Sequence, residues 1–493
     1  MPKPSKAVSE LKAFPYGSAR QLATAVRTGK VSALELLKAY LARVDDLNPT
    51  LNAVVVDDRE RALKDARAAD RATKAGKKLG PLHGVPMTVK ESFAIAGQPV
   101  TFGQPAMARN VVDFDAVAVQ RLRAAGAVIF GKTNVPINLA DFQSYNAVYG
   151  TTKNPWDTER TAGGSSGGSA VAMAAGLSGL EYGSDIGGSI RNPAAYNGVF
   201  GHKPTFGIVP KRGHALSSDA LLEGAISVIG PLARTAGDLA LALKITAGPD
   251  LEAGYRLDLP APPRSLVGLR VAVWLDQPDI SPVDDEVKDA IRAAADTLAR
   301  AGANVDFDAR PEFDAADADQ TYRSLLLGTM ASRDPNFDAL AARADALDPD
   351  DTSEHARNLR MSAVRHRDYV IVENRQAVLR WAWRRFFADV DVVLAPITAT
   401  PAFPHDHSEP ATARTMTVNG AKVSYFAQTF WAGLAIAAHL PATVAPVGQS
   451  TAGLPIGVQV IGDAYRDRAT IWVADQLERL HGGFTPPPNF PYP

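Results

Sequence analysis

Two glycine-framed serine clusters constrain this chain more than any other part of its sequence. Residues 163–205 read G-G-S-S-G-G-S-A-V-A-M-A-A-G-L-S-G-L-E-Y-G-S-D-I-G-G-S-I-R-N-P-A-A-Y-N-G-V-F-G-H-K-P-T, with Ser165 and Ser166 in the first cluster and Ser189 in the second. Glycine allows positive φ and close backbone approach, so both clusters indicate a backbone held in an unusual shape. The alanine-rich segment between them predicts a helix over residues 170–177, so the serines lie between ordered elements and not on a flexible linker.

The second cluster indicates acyl-transfer chemistry. The consecutive peptide N–H groups of Ile186, Gly187, Gly188 and Ser189 can converge into a nest that binds a developing oxyanion. Ser189 then lies where a hydroxyl attacks the same carbonyl carbon. We therefore expect these four backbone N–H groups to form an oxyanion hole beside a nucleophilic Ser189.

The serine clusters also carry a family resemblance. The run G-G-S-S-G-G-S, followed by G-S-D-I-G-G-S-I-R-N-P-A and G-H-K-P-T, resembles the amidase signature family of serine hydrolases. The resemblance implies a Ser, Ser, Lys triad, with Ser189 as the nucleophile and Ser165 as the bridging serine. Residues 86–92, P-M-T-V-K-E-S, look like the family's strand that ends on its catalytic lysine, which implies that role for Lys90.

The resemblance implies further features of the site and the fold. It implies a cis peptide bond before Ser165, and it gives Gly164, Asp185 and Arg191 the role of holding the site's geometry. No cofactor and no metal is expected. The implied fold is α/β, the amidase signature fold, with a large mixed, mostly parallel sheet covered by helices on both sides.

Residues 1–493 are expected to form a single amidase domain. Its parts are an N-terminal helical region over 1–80, a catalytic core with the signature motif over 86–250, and a C-terminal α/β portion with variable substrate loops over 251–493. We see no linker rich in proline, glycine and serine that would divide the chain.

Periodicity and capping sequences predict the main elements. Ser18 and Ser32 each begin a capping-box sequence, which predicts a helical hairpin at the start of the chain. A strand, helix and strand over residues 269–307 predict a right-handed β-α-β unit of a parallel sheet. Further helices are predicted over 57–74, 115–125, 237–247 and 467–480, and further strands over 127–130, 391–397 and 454–461.

Three other interpretations compete with the amidase one. Residues 163–167 satisfy G-x-S-x-G, the nucleophile elbow of an α/β-hydrolase esterase, although a polar, turn-like segment precedes them where an elbow needs a strand. Residues 126–133 match G-x-x-x-x-G-K-T, but 127–130 is an apolar strand and Pro136 follows closely, so nucleotide binding is not expected. The third alternative is the amidase subunit of a tRNA-dependent amidotransferase.

The composition of the chain excludes several classes of partner and of chemistry. The chain has 52 basic and 53 acidic residues, a net charge of −1, and no cysteine. The charge gives no support to a nucleic-acid partner, and thiolate nucleophiles and disulfides are excluded. The longest apolar run, residues 430–440, is too short to span a bilayer, and residues 1–12 lack an apolar signal core. We expect a cytoplasmic enzyme acting on a small molecule, without nucleic-acid or membrane partners, alone or as a homodimer.

The long connection over residues 398–445 has weak periodicity, and such connections often carry function. Its triplet from His405 to His407 is interpreted as a solvated loop and not a metal site, because a third ligand at a suitable spacing is missing. Its aromatic residues are expected to line the substrate pocket: Tyr425, Phe426, Phe430 and Trp431.

The implied mechanism sets a physical requirement. Lys90 must be neutral, and lowering a lysine pKa from about 10.4 to near 7 corresponds to roughly 4 to 5 kcal/mol of desolvation. We therefore expect deep burial of Lys90. The resemblance to bacterial aryl-acylamidase and urethanase-type members implies aryl or alkyl amides as substrates, with carbamates as a further class. Asn138 stands where many relatives carry an acidic or aromatic side chain, so we expect it to set the pocket's width together with residues 398–431.

Overall fold

The computed structural model describes residues 14–222, 224–250, 254–332, 334 and 336–490. The prediction about a signal core concerns residues 1–12, which lie outside the described residues. Within the described ranges, no helix is both long enough and apolar enough to cross a bilayer.

The helices agree well with the sequence predictions. Ser18 and Ser32 make complete capping boxes at the starts of the first two helices, which confirms the predicted helical hairpin. The predicted helix over 467–480 is also found. In chain order, the α-helices are α1 (Ala19–Arg27), α2 (Ala33–Leu51), α3 (Arg59–Lys74), α4 (Val117–Ala124), α5 (Gly167–Ala174), α6 (Arg191–Asn197), α7 (Ala236–Thr246), α8 (Asp285–Arg300), α9 (Ala315–Ala331), α10 (Phe337–Asp345), α11 (Glu354–Ser362), α12 (His366–Phe386), α13 (Thr429–Ala437) and α14 (Asp467–Leu480).

The strands form one large sheet, one small sheet and two short hairpins. In chain order they are β1 (Val54–Asp57), β2 (Pro86–Lys90), β3 (Val128–Thr133), β4 (Tyr145–Asn146), β5 (Gly150–Thr151), β6 (Glu181–Asp185), β7 (Phe200–Lys203), β8 (Val228–Ala233), β9 (Arg270–Val273), β10 (Asn304–Asp306), β11 (Val392–Pro396), β12 (Thr415–Val418), β13 (Ala421–Ser424), β14 (Ala442–Gln449) and β15 (Pro455–Gly462). The small sheet has the order β1-β3-β2, and the eight-stranded sheet has the order β10-β9-β11-β15-β14-β7-β8-β6.

The large sheet is mixed, as predicted, but the expectation that it is mostly parallel was wrong. The pairs β10–β9 and β9–β11 are parallel, whereas every other neighbouring pair in its described strands is antiparallel. The predicted β-α-β unit accounts for the first parallel pair. Parallel pairing needs a crossover that returns the chain in the same direction, and β7 and β8 are joined without a helix, so they run in opposite directions.

Helices cover both faces of this sheet. In β15, Gly457 and Gly462 lie an odd number of residues apart, so their absent side chains would point to opposite faces. A Cβ on Gly457 would lie 2.9 Å from Cβ of Ala195 on α6, and a Cβ on Gly462 would lie 2.7 Å from Thr470 on α14. The two helices therefore pack closely against opposite faces of the same strand.

The segment over residues 398–445 is more regular than the sequence predicted. It contains the hairpin β12–β13, the helix α13 and the start of β14. All nine residues of α13 are buried. A helix that is apolar on every side has no amphipathic period, which is why its sequence was interpreted as irregular.

The aromatic cluster near the end of α12 is core only in part. Trp383 and Phe387 are buried, and Phe386 packs against the same core. Trp381, by contrast, is 66% exposed. Residues two positions apart on a helix point about 200° from each other, so Trp381 and Trp383 cannot share one face.

Candidate active site

Lys90 ends β2, a strand whose five residues are all buried. Its side chain is fully buried, and Nζ lies 2.6 Å from Oγ of Ser165 and 3.0 Å from Oγ of Ser184. Ser165 precedes α5, and Ser184 lies on β6, so the lysine joins three separate elements. The expected deep burial of Lys90 is therefore present, and so is a direct contact with the expected bridging serine.

Burial changes the acid–base properties of Lys90. Desolvation lowers the pKa of Lys90 from 10.5 to about 7, although the nearby carboxyl groups of Asp185, Glu91 and Glu181 act to raise it. A lysine with a pKa near neutrality is unprotonated in a large fraction of molecules at pH 7. Such an amine can accept a proton from a neighbouring hydroxyl group.

Ser165 is held by an unusual backbone. The Gly164–Ser165 peptide bond is cis, as the family resemblance implied. The Asn192 side chain makes two hydrogen bonds to the backbone of Gly164, the residue before Ser165. Its Oδ1 accepts the Gly164 N–H at 3.0 Å, and its Nδ2 donates to the Gly164 carbonyl at 2.5 Å. A Cβ on Gly164 would lie 2.3 Å from the carbonyl oxygen of Asp141, so only glycine fits this position.

The loop from β6 to α6 is organised by a buried ion pair. Asp185 and Arg191 are both fully buried, and Arg191 donates through Nε and Nη2, each at 3.0 Å, to the two carboxylate oxygens. Burial opposes ionisation of Asp185, but the Arg191 guanidinium, together with Lys203 and the Ile190 N–H, holds the pKa of Asp185 below its usual value. Asp185 also accepts the N–H of Gly188 at 2.9 Å and of Ile190 at 3.1 Å.

One of the four backbone N–H groups predicted to form the oxyanion hole is already hydrogen bonded within this loop. The Gly188 N–H donates to Asp185 and is not available to a substrate, because the strand end places that carboxylate next to it. Within the described chain, no hydrogen bond occupies the N–H of Ile186, Gly187 or Ser189. The four expected donors are thereby reduced to three.

Ser165 and Ser189 line the same cavity, which encloses about 440 Å³ including its open mouth. The clusters are also joined directly, because the Ser166 N–H donates to the Ser189 carbonyl at 3.1 Å. Asn138 lies in the cavity wall, as expected. The full lining is Asn138, Leu139, Ser165, Ser184, Asp185, Ile186, Ser189, Lys211, His214, Ser227, Thr329 and Met330.

Several of these residues were not predicted from the sequence. Ser184 immediately precedes Asp185 in the motif, but its contact with Lys90 depends on how β6 packs on β2. Thr329 and Met330 come from α9, and Lys211, His214 and Ser227 flank the loop before β8. No local sequence signal links these segments to the serine clusters.

The expectation that aromatic residues of 398–431 line the pocket was wrong. Tyr425, Phe430 and Trp431 are at most 1% exposed and belong to apolar clusters. Phe426 packs partly buried against one of these clusters. None of the four lines the cavity at Ser189. Tyr425 and Phe426 pack instead against the ring of Phe142, and Phe430 and Trp431 pack against Trp274.

The histidine triplet lies in a partly buried loop. The rings of His405 and His407 have centroids 5.5 Å apart, and His407 stacks on Tyr145 at 3.7 Å. Among the residues that the structure describes, no group of three or more His, Cys, Asp or Glu is arranged to hold a metal ion.

The geometry does not fit the other two motif matches. No strand directly precedes Ser165, and no described histidine hydrogen bonds to Ser165 or Ser166, so the nucleophile elbow of an α/β-hydrolase is absent there. Val128–Thr133 is β3, paired with both β1 and β2. Its backbone groups are committed to the sheet and do not cradle a phosphate.

Together these features define an α/β protein with a buried lysine against one serine and a second serine in the same cavity. A family model described as Amidase matches residues 35–471. The chain belongs to the amidase signature family and is an enzyme that hydrolyses amides.

Individual relatives cover almost the whole chain. It is 36% identical to the indoleacetamide hydrolase of Bradyrhizobium diazoefficiens, over 94% of this chain and 86% of that protein. It is 33% identical to the acylamidase of Rhodococcus erythropolis, over 94% and 95% of the two chains. It is 31% identical to one subunit of the glutamyl-tRNA(Gln) amidotransferase of a Synechococcus strain, over 94% and 96%. The solved structure of a bacterial aryl acylamidase of the amidase signature family has the same fold, with a TM-score of 0.81, 24% identity, and coverage of 95% and 96%.

Proposed function

We propose that this enzyme cleaves the C–N bond of small amides through an acyl-enzyme on Ser189, with Ser165 relaying protons to Lys90. One observation carries the proposal: the fully buried Lys90 Nζ lies 2.6 Å from Ser165 Oγ, and Ser165 shares a cavity with Ser189. A neutral lysine in contact with a hydroxyl, beside a second hydroxyl, is the arrangement that a two-step proton relay needs.

In the first half-reaction, Ser189 Oγ forms a bond to the carbonyl carbon of the amide. Its proton passes to Ser165 Oγ as the Ser165 proton passes to Lys90 Nζ. The carbonyl oxygen becomes an oxyanion, for which the unoccupied N–H groups of Ile186, Gly187 and Ser189 are donors. The C–N bond then breaks, and Lys90 returns the proton through Ser165 to the leaving nitrogen.

In the second half-reaction, water attacks the ester carbon of the acyl-enzyme. The water proton follows the same path through Ser165 to Lys90, and a second oxyanion forms in the same place. The bond from the carbonyl carbon to Ser189 Oγ breaks, and Ser189 regains a proton by the reverse route. The products are the carboxylic acid and free enzyme, and Lys90 ends neutral.

The proposed substrates are aryl and alkyl amides, with carbamates as a second class. Relatives named as an acylamidase and an indoleacetamide hydrolase support the amides. A carbamate presents the same planar carbonyl group and a nitrogen leaving group, so the same donors and the same relay serve it. Asn138, Thr329 and Met330 line the cavity and are proposed to set the room around the acyl and alkoxy groups.

A panel of three compounds tests this proposal: 4-nitroacetanilide, indole-3-acetamide and ethyl N-phenylcarbamate. We expect release of amine or ammonia from at least one of the two amides, and no release by Ser189→Ala. Ser166→Ala is the matched control and should retain turnover, because Ser166 Oγ contacts the backbone of Ser184 and not Lys90. With the carbamate, aniline should appear no later than ethanol. Loss of activity in Ser166→Ala but not in Ser189→Ala would contradict the assignment.

A second candidate is a partner-dependent amidase subunit, favoured by the 31% identity to one component of a tRNA-dependent amidotransferase. The purified chain alone discriminates the two. Turnover of a small amide without any added protein rules out an obligate subunit, whereas turnover that appears only with added partner proteins favours it.

We further propose a single domain, because one continuous cluster of buried apolar side chains extends from Ala19 to Leu477.

A further inference from the structure

Tyr322 reaches the second serine cluster from a distant helix. It lies on α9, 136 residues after Ile186, and its side chain is 1% exposed. The Tyr322 hydroxyl donates to the carbonyl oxygen of Ile186 at 3.1 Å. Burial raises the pKa of Tyr322 far above its usual value, so the hydroxyl keeps its proton.

The contact with Tyr322 also fixes the direction of the next N–H group, because a peptide unit is planar. In a trans peptide, the carbonyl oxygen and the following N–H point in opposite directions, and the Ile186–Gly187 bond is not among the cis bonds of the described chain. A hydroxyl that holds the Ile186 carbonyl therefore turns the Gly187 N–H away from Tyr322. The cavity is lined by Ile186 and Ser189, on either side of Gly187, and Tyr322 is not part of its lining.

The neighbouring peptide is fixed in a similar way. The Gly188 carbonyl accepts the N–H of Asn192 at 2.7 Å, which turns the Ser189 N–H in the opposite direction. That anchor comes from the local turn into α6, whereas the anchor on Ile186 comes from a side chain. A Cβ on Gly187 would meet only the Tyr322 hydroxyl, at 3.5 Å. Little else prevents the Ile186–Gly187 peptide from flipping, because glycine accepts both orientations.

We propose that Tyr322 is a positioning residue that keeps the Gly187 N–H directed at the oxyanion. The inference rests on the proposed function of Ser189. Without the hydroxyl, the Ile186 carbonyl loses a buried donor and turns toward the polar cavity, where its partial negative charge repels the oxyanion.

Gly433 provides the space for this tyrosine. A Cβ on Gly433, in α13, would lie 2.5 Å from Cδ1 of the Tyr322 ring. Gly433→Ala therefore displaces the ring and its hydroxyl without removing the hydroxyl. It offers a second and independent way to disturb the same contact.

The test measures how fast phenylmethylsulfonyl fluoride modifies Ser189, with the adduct located by peptide mass mapping. The bond from Ser189 Oγ to sulfur forms as the S–F bond breaks, the hydroxyl proton passes through Ser165 to Lys90, and fluoride leaves. Removal of one oxyanion-hole donor lowers kcat by about 10²- to 10³-fold. Tyr322→Phe leaves the Gly187 donor in place but no longer directed, so we expect it to react about 10- to 100-fold more slowly than wild type. Gly433→Ala should be slowed in the same direction.

The control is Tyr182→Phe, because Tyr182 is also fully buried and its hydroxyl contacts Thr246 at 2.6 Å, away from the cavity. It should react within about twofold of wild type. With an amide substrate, Tyr322→Phe should lower kcat and leave KM and the pH profile unchanged, because Lys90 is untouched.

Two results would overturn parts of this account, and they are distinguishable. If Ser189 is modified in both proteins and Tyr322→Phe reacts at the wild-type rate, the role of Tyr322 is wrong and the proposed function stands. If the wild-type protein carries no adduct on Ser189, the proposed function itself fails, and the inference fails with it.

Discussion

Replacement of Lys90 by methionine is expected to abolish turnover and to stabilise the fold at neutral pH. The loss of turnover follows from removal of the proposed base. The gain in stability follows from the pKa of Lys90, which is about 7 in the folded chain against an ordinary 10.5. Below pH 10.5 the unfolded chain binds this proton more tightly than the folded chain, so the buried lysine favours unfolding.

The magnitude follows from the size of the pKa difference. Each pKa unit corresponds to about 1.4 kcal/mol, so the cost of burying Lys90 is about 4 kcal/mol at pH 7. Methionine removes that cost but also loses the hydrogen bonds to Ser165 and Ser184, worth about 2 kcal/mol together. The expected net gain in the free energy of unfolding is about 2 kcal/mol at pH 7.

The gain must depend on pH with a definite sign. Between pH 7 and 10.5 the unfolded wild-type chain carries more protons than the folded one. The destabilisation caused by Lys90 therefore decreases, and the free energy of unfolding of the wild-type protein rises, as the pH is raised. The advantage of Lys90→Met should therefore shrink across that range and vanish at about pH 9, where the remaining cost of about 2 kcal/mol equals the lost hydrogen bonds. At pH 10.5 the variant should be the less stable protein. Urea unfolding of both proteins at pH 7 and at higher pH measures this difference.

Lys203→Met is the matched control for this prediction. Burial also lowers the pKa of Lys203 to about 7, and its Nζ donates to the Pro204 carbonyl at 2.9 Å. It should gain stability at pH 7 as Lys90→Met does, while keeping turnover. If Lys90→Met is less stable than wild type at pH 7 and Lys203→Met is more stable, Lys90 is charged in the folded chain and the reasoning is refuted.

Three other variants or conditions are informative. The value of kcat/KM should fall about tenfold per pH unit below pH 7, because Lys90 becomes protonated; a flat pH–rate profile from pH 5 to 7 would argue against a lysine base. Burial raises the pKa of Glu181 to about 8, so its folded form holds a proton that the unfolded chain releases from pH 4.5 upward, and wild-type stability falls over that window. Glu181→Gln, in which the side chain is always neutral, should keep its activity at pH 7. In urea unfolding, its stability relative to wild type should be greater at pH 9 than at pH 5. The same difference in stability at both pH values would mean that Glu181 is ionised in the folded chain. Arg191→Met leaves Asp185 buried without its partner, and calorimetry should register a loss of about 3 to 5 kcal/mol together with lost turnover; a wild-type melting temperature would contradict the structural role of this ion pair.

Local chemistry explains what the sequence predicted well. The glycine positions around Ser165 and Ser189, the capping boxes of Ser18 and Ser32, and the helix over 467–480 are all encoded within a few residues. Each depends on contacts between near neighbours along the chain. The β-α-β unit over 269–307 belongs to the same group, because its parallel pairing follows from the crossover helix it contains.

Long-range packing explains what the sequence did not reveal. The antiparallel half of the large sheet depends on which strands meet. Its strands β6, β7 and β8 are short and buried throughout, and they show no alternation of polar and apolar residues. The aromatic residues of α13 were assigned to a pocket because a helix that is buried on all sides has no polar face to reveal it. The contacts of Lys90 with Ser184, and of Tyr322 with Ile186, link positions 94 and 136 residues apart. No local pattern encodes such contacts.

The central claim is that Ser189 carries the acyl group during amide cleavage. The most direct measurement is rapid acid quenching of the wild-type enzyme during turnover of an amide that it hydrolyses, followed by peptide mass mapping. The account predicts an acyl group on Ser189, with Ser165 and Ser166 unmodified. An acyl group on Ser165 or Ser166, or turnover without any acylated serine, would contradict it.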